Sequence, residues 1–93
     1  MTPPESYALT LYVSGASDRS GRAVASTRHL CDTHLNGRCR LTVMDVHEDP
    51  AGALRSGVLA APTLVRHHPL PLRRFVGDLS RTDQVLAVLE LRA

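Results

Sequence analysis

Lysine and tryptophan are absent from this 93-residue chain, and one Phe with two Tyr is all the aromatic surface it has. Binding single-stranded nucleic acid rests on aromatic platforms for the bases and a strong basic field for the backbone. The platforms are missing, and a formal net charge of +2 is too small to stand in for them. No stretch approaches the ~20 apolar residues of a membrane-spanning helix. Residues 1–6, polar with Pro3-Pro4, lack the basic start and apolar run of a signal peptide. A cytoplasmic protein is the expectation. Only two cysteines occur, Cys31 and Cys39, eight apart rather than in a Cys-X-X-Cys pair, a spacing that favours reduced, structural thiols. Every basic residue other than histidine is arginine, a planar bidentate donor, although a high-GC genome produces the same bias.

What the chain does have is aliphatic. With 43% apolar residues and only 3% aromatic ones, the core of one small domain must come from interdigitated Leu, Val and Ala. A disordered N-terminus over 1–6 and a single domain over 7–93 are expected. Tyr7-Ala8-Leu9-Thr10-Leu11-Tyr12-Val13 alternates with period two and reads as a strand buried on both sides. Ser14-Gly15-Ala16 breaks it. Ser17 is then a helix N-cap, with Asp18 at the first helical position and apolar residues from Ala23 to Leu35 at helical spacing, until Asn36-Gly37 stops the helix.

Arg40 to Val46 is a second strand rich in β-branched residues, and strand, helix, strand suggests a right-handed βαβ unit. Asp49-Pro50 reads as a cap and first residue of a short helix that Gly52 weakens and Gly57 ends. Ala61-Pro62-Thr63 is a proline turn with a cis candidate, because an X-Pro bond gives up only about 0.5–1 kcal/mol to go cis. Thr63–His67 and Leu72–Val76 read as an antiparallel pair around Pro69-Leu70-Pro71. Ser80-Arg81-Thr82-Asp83 reads as a capping box, with Asp in the usual Glu place, opening a last helix. The order βαβαββα fits an α/β, thioredoxin-like sandwich. A thioredoxin active site would follow the first strand, where Ser14 to Asp18 offers no thiol to attack a disulfide.

Leu11-Tyr12-Val13-Ser14-Gly15, Met44-Asp45 with Val46 to Pro50, Ala61-Pro62-Thr63-Leu64, the proline hairpin with Arg73-Arg74, and Gly77-Asp78-Leu79-Ser80 occur in one order over nearly the whole chain. In these segments the chain resembles the KaiB family of circadian-clock proteins. The resemblance implies a non-enzymatic protein without a cofactor, docking on the N-terminal ATPase ring of a KaiC hexamer. It also implies recruitment of KaiA and competition with the histidine kinase SasA, whose sensor domain is similar. The family has two folds: a ground state, often oligomeric, with a rearranged C-terminal half, and the thioredoxin-like state that binds KaiC. Val88 stands where the family carries glycine in the last helix, and Pro69-Leu70-Pro71 shortens a three-proline run. Leu70, Gly77, Asp78 and Val88 are therefore expected to bias the fold state, the first and last toward the thioredoxin-like form.

The resemblance also marks Arg66, Arg73 and Arg74 in the hairpin, joined by Arg22, as partner-binding residues, since arginine forks suit carboxylates on a partner. The plainer reading is a solvated strand face that discourages edge-to-edge pairing. Cys31, His34 and His29 share a helix but lack the three or four converging ligands of a zinc site, so no metal is expected. Asp45 and Asp78 lack any accompanying nucleophile or phosphate loop, and local hydrogen bonding is the simpler role for each. No catalytic residue is assigned. The leading expectation is a KaiB-like adaptor; the alternative is a stand-alone signalling or stress-response module with a different partner, and a redox protein stands third.

Overall fold

The alternation of Tyr7–Val13 explains where the chain puts its core. In the computed structural model, which describes residues 6–92, this segment is strand β1 and lies inside a four-stranded sheet. Its odd-numbered residues Leu9 and Leu11 are buried against one helical layer, and Tyr12 is buried against the other. Helix α1 (Asp18–His34) follows, then β2 (Cys39–Asp45), α2 (Pro50–Arg55), β3 (Thr63–His68), β4 (Arg73–Val76) and α3 (Thr82–Val88). The sheet order is β2-β1-β3-β4, with β2 parallel to β1 and the two later strands antiparallel. A strand that re-enters its sheet parallel needs a crossover, and α1 provides it. A one-residue slip of β1 would exchange its two buried faces, so the two-sided core fixes the register.

Helices α1 and α3 cover one face of the sheet. Leu30 from α1, Leu35 just after it, and Val85 and Leu89 from the α3 segment pack on Leu9, Leu11, Leu64 and Phe75. Complete burial of one such aliphatic side chain stabilises the fold by about 1.5–3 kcal/mol. The six-residue α2 covers only part of the other face, where Ala53 and Val58 meet Tyr12 and Val65.

Local signals account for most element ends. The Ser17 hydroxyl accepts from the Ser20 amide at 3.1 Å, and Asn36 and Gly37, at φ 51° and 74°, turn the chain out of α1. Asp49 caps α2 through the Gly52 amide at 3.0 Å. A Cβ on Gly52 would overlap that capping carboxyl group, so the glycine that weakens helix propensity also makes room for the cap.

The last helix departs from expectation. Ser80 does not cap α3: its amide and hydroxyl both donate to Asp78 Oδ1, at 3.0 and 2.6 Å, and the N-cap is Arg81, with no side-chain cap bond. The far end closes differently. Glu90 takes φ 51°, Leu91 N–H reaches Leu86 C=O at 2.9 Å and Glu90 N–H reaches Ala87 C=O at 3.2 Å, a Schellman ending with glutamate in the position glycine prefers. Val88 is thus the last residue of α3 rather than an interior one. Its propensity gain over glycine is smaller than an interior site would give. The Ala61–Pro62, His68–Pro69 and Leu70–Pro71 peptide bonds are cis. Of the N-terminal stretch 1–6 expected to be disordered, residues 1–5 lie outside the described residues.

Candidate partner-binding surface

Two clefts meet at the end of the sheet where β1 finishes. One, of about 610 Å³, lies between the N-terminal part of α1 and the turn after β4, with Arg19 and Arg22 facing Pro62, Gly77 and Asp78. The other, of about 580 Å³, lies over α2 and the loop that follows it, lined by Leu54, Val58, Leu59 and Ala61. Arg19 borders both clefts, and the Ala61-Pro62 step stands between them. Leu59 is 89% exposed and Leu54 70%, so the strip joins apolar surface to a cationic rim.

Asp78 carries the acidic contribution to the first cleft. Its two bonds from Ser80 hold the carboxyl group below the usual carboxylate range, with Arg81 adding a smaller effect in the same direction. Gly77 has φ 143°, a backbone conformation that side chains rarely adopt, and it carries the chain from β4 into this turn.

The four arginines marked by the sequence do not form one patch. Arg22 is exposed on α1 and lines the first cleft. Arg66 is only 3% exposed, donating from Nη1 to Leu89 C=O and from Nη2 to Pro71 C=O, both at 2.8 Å, while its Nε carries no bond. It is therefore not presented to a partner. The Leu89 carbonyl lies at the C-terminus of α3, where a helix leaves acceptors unsatisfied and its dipole favours a cation. Arg66 is a clamp holding the hairpin loop and α3 to the sheet.

Arg73 and Arg74 are neighbours on a strand and so point to opposite faces. Arg73 pairs with Glu90 at 3.2 Å beside the end of α3. Arg74 reaches across the other face to Ser56 C=O at 3.2 Å and lies over Gly57, where a Cβ would meet its guanidinium at 2.7 Å. His67 and His68 likewise diverge; the His67 ring bonds the Thr10 hydroxyl at 3.0 Å.

The remaining candidate residues have structural duties. Asp45 accepts from the Gly15 amide at 3.1 Å and the His47 amide at 2.9 Å, tying the end of β2 to the loop before α1. Among the described residues no cluster of three or more His, Cys, Asp or Glu is placed to hold a metal ion, and no helix is long and apolar enough to cross a membrane. Cys31 Sγ lies 2.9 Å from Cys39 Sγ. The sequence reading missed that pair. The signal was there in part: with α1 ending at His34 and β2 opening at Cys39, Cys31 falls in the last turn of the helix, next to the strand start.

Comparison with known proteins agrees with this architecture. The model of the KaiB domain matches residues 10–91. The circadian clock oscillator protein KaiB of Synechococcus elongatus is 40% identical over 91 residues, covering 98% of this chain and 89% of that protein. Its counterpart from Parasynechococcus marenigrum is 41% identical, covering 98% and 88%. Among solved structures, the N-terminal domain of Synechococcus elongatus SasA superposes with a TM-score of 0.75 at 19% identity, over 94% of this chain and 82% of that one. Mitochondrial thioredoxin 3 of Saccharomyces cerevisiae gives 0.72 at 18%, over 94% and 80%. The fold is thioredoxin-like.

Proposed function

Because the chain belongs to the KaiB family, we propose that it is a clock adaptor of that type, without catalytic activity, that docks on the ring of a KaiC-like ATPase. Docking changes which regulator the ring recruits, a KaiA-like protein or a SasA-type histidine kinase. The observation that carries this reading is the state of the C-terminal half. Residues 63–68 and 73–76 are strands, α3 packs behind them, and the whole superposes on the SasA N-terminal domain. Two proteins of one shape can exclude each other from one site, which is how an adaptor without chemistry changes an assembly.

The recognition surface in this reading is the strip along the β1 end of the sheet. Leu54 and Leu59 supply desolvated area, Arg22 and Arg74 flank it from the two faces, and Asp78 adds acceptor capacity. Apolar anchors within a polar rim are the usual anatomy of such an interface. Arg66 has no part in it.

The test is a binding titration against the KaiC-like ATPase of the same genome, with and without nucleotide. A nucleotide-dependent complex is expected, weakened at least tenfold by Arg22→Glu with Leu59→Ser, and displaced by the sensor domain of the cognate kinase. Absence of any complex under every nucleotide condition overturns the proposal.

A further inference from the structure

Cys31 and Cys39 are the chain's only cysteines, both are free, and the fold brings them side by side. Their sulfurs are 2.9 Å apart. Both sit on ordered elements rather than loops, Cys31 in the last turn of α1 and Cys39 as the first residue of β2, opposite Tyr7. The four-residue connection between α1 and β2 is itself braced: Arg38 N–H donates to Leu35 C=O and Tyr7 N–H to Arg38 C=O, each at 2.9 Å. The juxtaposition is therefore built into the fold. From this geometry we infer that Cys31 and Cys39 form a reversible thiol–disulfide site that a peroxide oxidises, stapling the end of α1 to the start of β2.

The two thiols are not equivalent. The Cys39 thiol donates to Cys31, which lowers the Cys31 pKa against the opposing effects of burial and Asp32, with Arg28 assisting. Cys39 is pushed up by the same bond, by burial and by the Cys31 charge. The thiolate is the reactive form, and the bond between the two sulfurs favours it at Cys31, while Cys39 is the less buried of the two. The Cys31 thiolate attacks one oxygen of hydrogen peroxide, the O–O bond breaks, and hydroxide leaves with the proton Cys31 has lost, as water. Cys31 is then a sulfenic acid. The thiolate that raised Cys39 no longer exists, so Cys39 is freed to ionise. Its sulfur attacks the Cys31 sulfur, the S–S bond forms, the S–O bond breaks, and the departing hydroxide takes the Cys39 proton as a second water. The two sulfurs lose two electrons and the peroxide gains them. A dithiol reductant reverses the reaction by exchange.

This site is independent of the clock reading and lies away from the proposed docking strip, on the edge of the sheet formed by β2. The test uses the full chain, reduced and then exposed to hydrogen peroxide, with free thiols counted by N-ethylmaleimide labelling and mass spectrometry. Both thiols should disappear together, at a rate independent of protein concentration, giving one cross-linked peptide pair that dithiothreitol restores. Hydrogen exchange should slow across residues 31–45 and stay unchanged across 63–76. In Cys39→Ser, dimedone should trap a sulfenic acid at Cys31, and neither single variant should form an intrachain cross-link. Persistent free thiols, cross-links only between chains, or irreversible sulfonic acids in the wild-type protein would each overturn the site. Unchanged exchange across residues 31–45 in the oxidised protein would overturn the staple.

Discussion

The two halves of this molecule are held together by different means. The first half, β1, α1 and β2, relies on aliphatic packing and on caps of the expected residue types. Leu9, Leu11, Leu30 and Leu35 are at most 1% exposed, Ser17 opens α1 and Asn36-Gly37 closes it. The second half, β3, β4 and α3, relies more on polar ties reaching across the chain. Arg66 bonds two carbonyls, Arg73 pairs with Glu90, Arg74 bonds Ser56, and the seven-residue α3 starts without a side-chain cap and ends on a glutamate at positive φ. A helix that short does not persist by propensity alone, and its position depends on what holds its ends. In that half these polar contacts add to the buried Leu64, Val65, Val85 and Leu89 and fix the ends of α3.

The largest loss should come from the aliphatic core of the first half. Leu30→Ala should cost about 2–5 kcal/mol, measured by urea denaturation, and should destabilise the whole domain because β1 is shared by both layers. Arg66→Met keeps much of the side-chain volume but leaves two carbonyls without their charged donor. It should cost about 2–3 kcal/mol, with hydrogen exchange accelerating in 63–92 more than in 7–45. Uniform acceleration along the chain would mean that the halves do not differ as described.

A serine pair sharpens the contrast at smaller scale. Ser17→Ala removes a cap and should cost about 1 kcal/mol, whereas Ser80→Ala, which loses only the hydroxyl bond to an exposed Asp78 and keeps the amide one, should stay within about 0.5 kcal/mol. Equal losses in thermal denaturation would restore Ser80 as a cap. The smallest effect is on pH dependence. The folded-state pKa of Asp78 is lowered by Ser80, so its contribution is present above the ordinary carboxylate range and is lost as pH falls through the lowered value. Asp78→Asn should therefore lower the melting temperature slightly at neutral pH and converge with the wild type in acid.

Much of the fold was legible because its signals are local. Period-two alternation marked β1, Ser17 and Asp49 marked helix starts, and the proline turn marked the entry to β3. Boundaries moved by a residue, with β2 opening at Cys39 and β4 at Arg73. The misreadings have separate causes. Arg66 looks exposed on an alternating strand, but its acceptor at Leu89 is 23 residues away. Ser80 has the spacing of a cap, but Asp78 two residues earlier takes its amide and hydroxyl. Arg73 and Arg74 look like one basic cluster until the pleat sends them to opposite faces. The first cleft could not be read from the chain because Arg22 and Asp78 meet only after the sheet is assembled.

The structure holds the C-terminal half as β3, β4 and α3 in the thioredoxin-like arrangement. Backbone chemical shifts of the isolated protein in solution test it most directly. Residues 63–68 and 73–76 should show extended shifts and residues 82–88 helical ones. Helical shifts across 63–68 and 73–76 would contradict it.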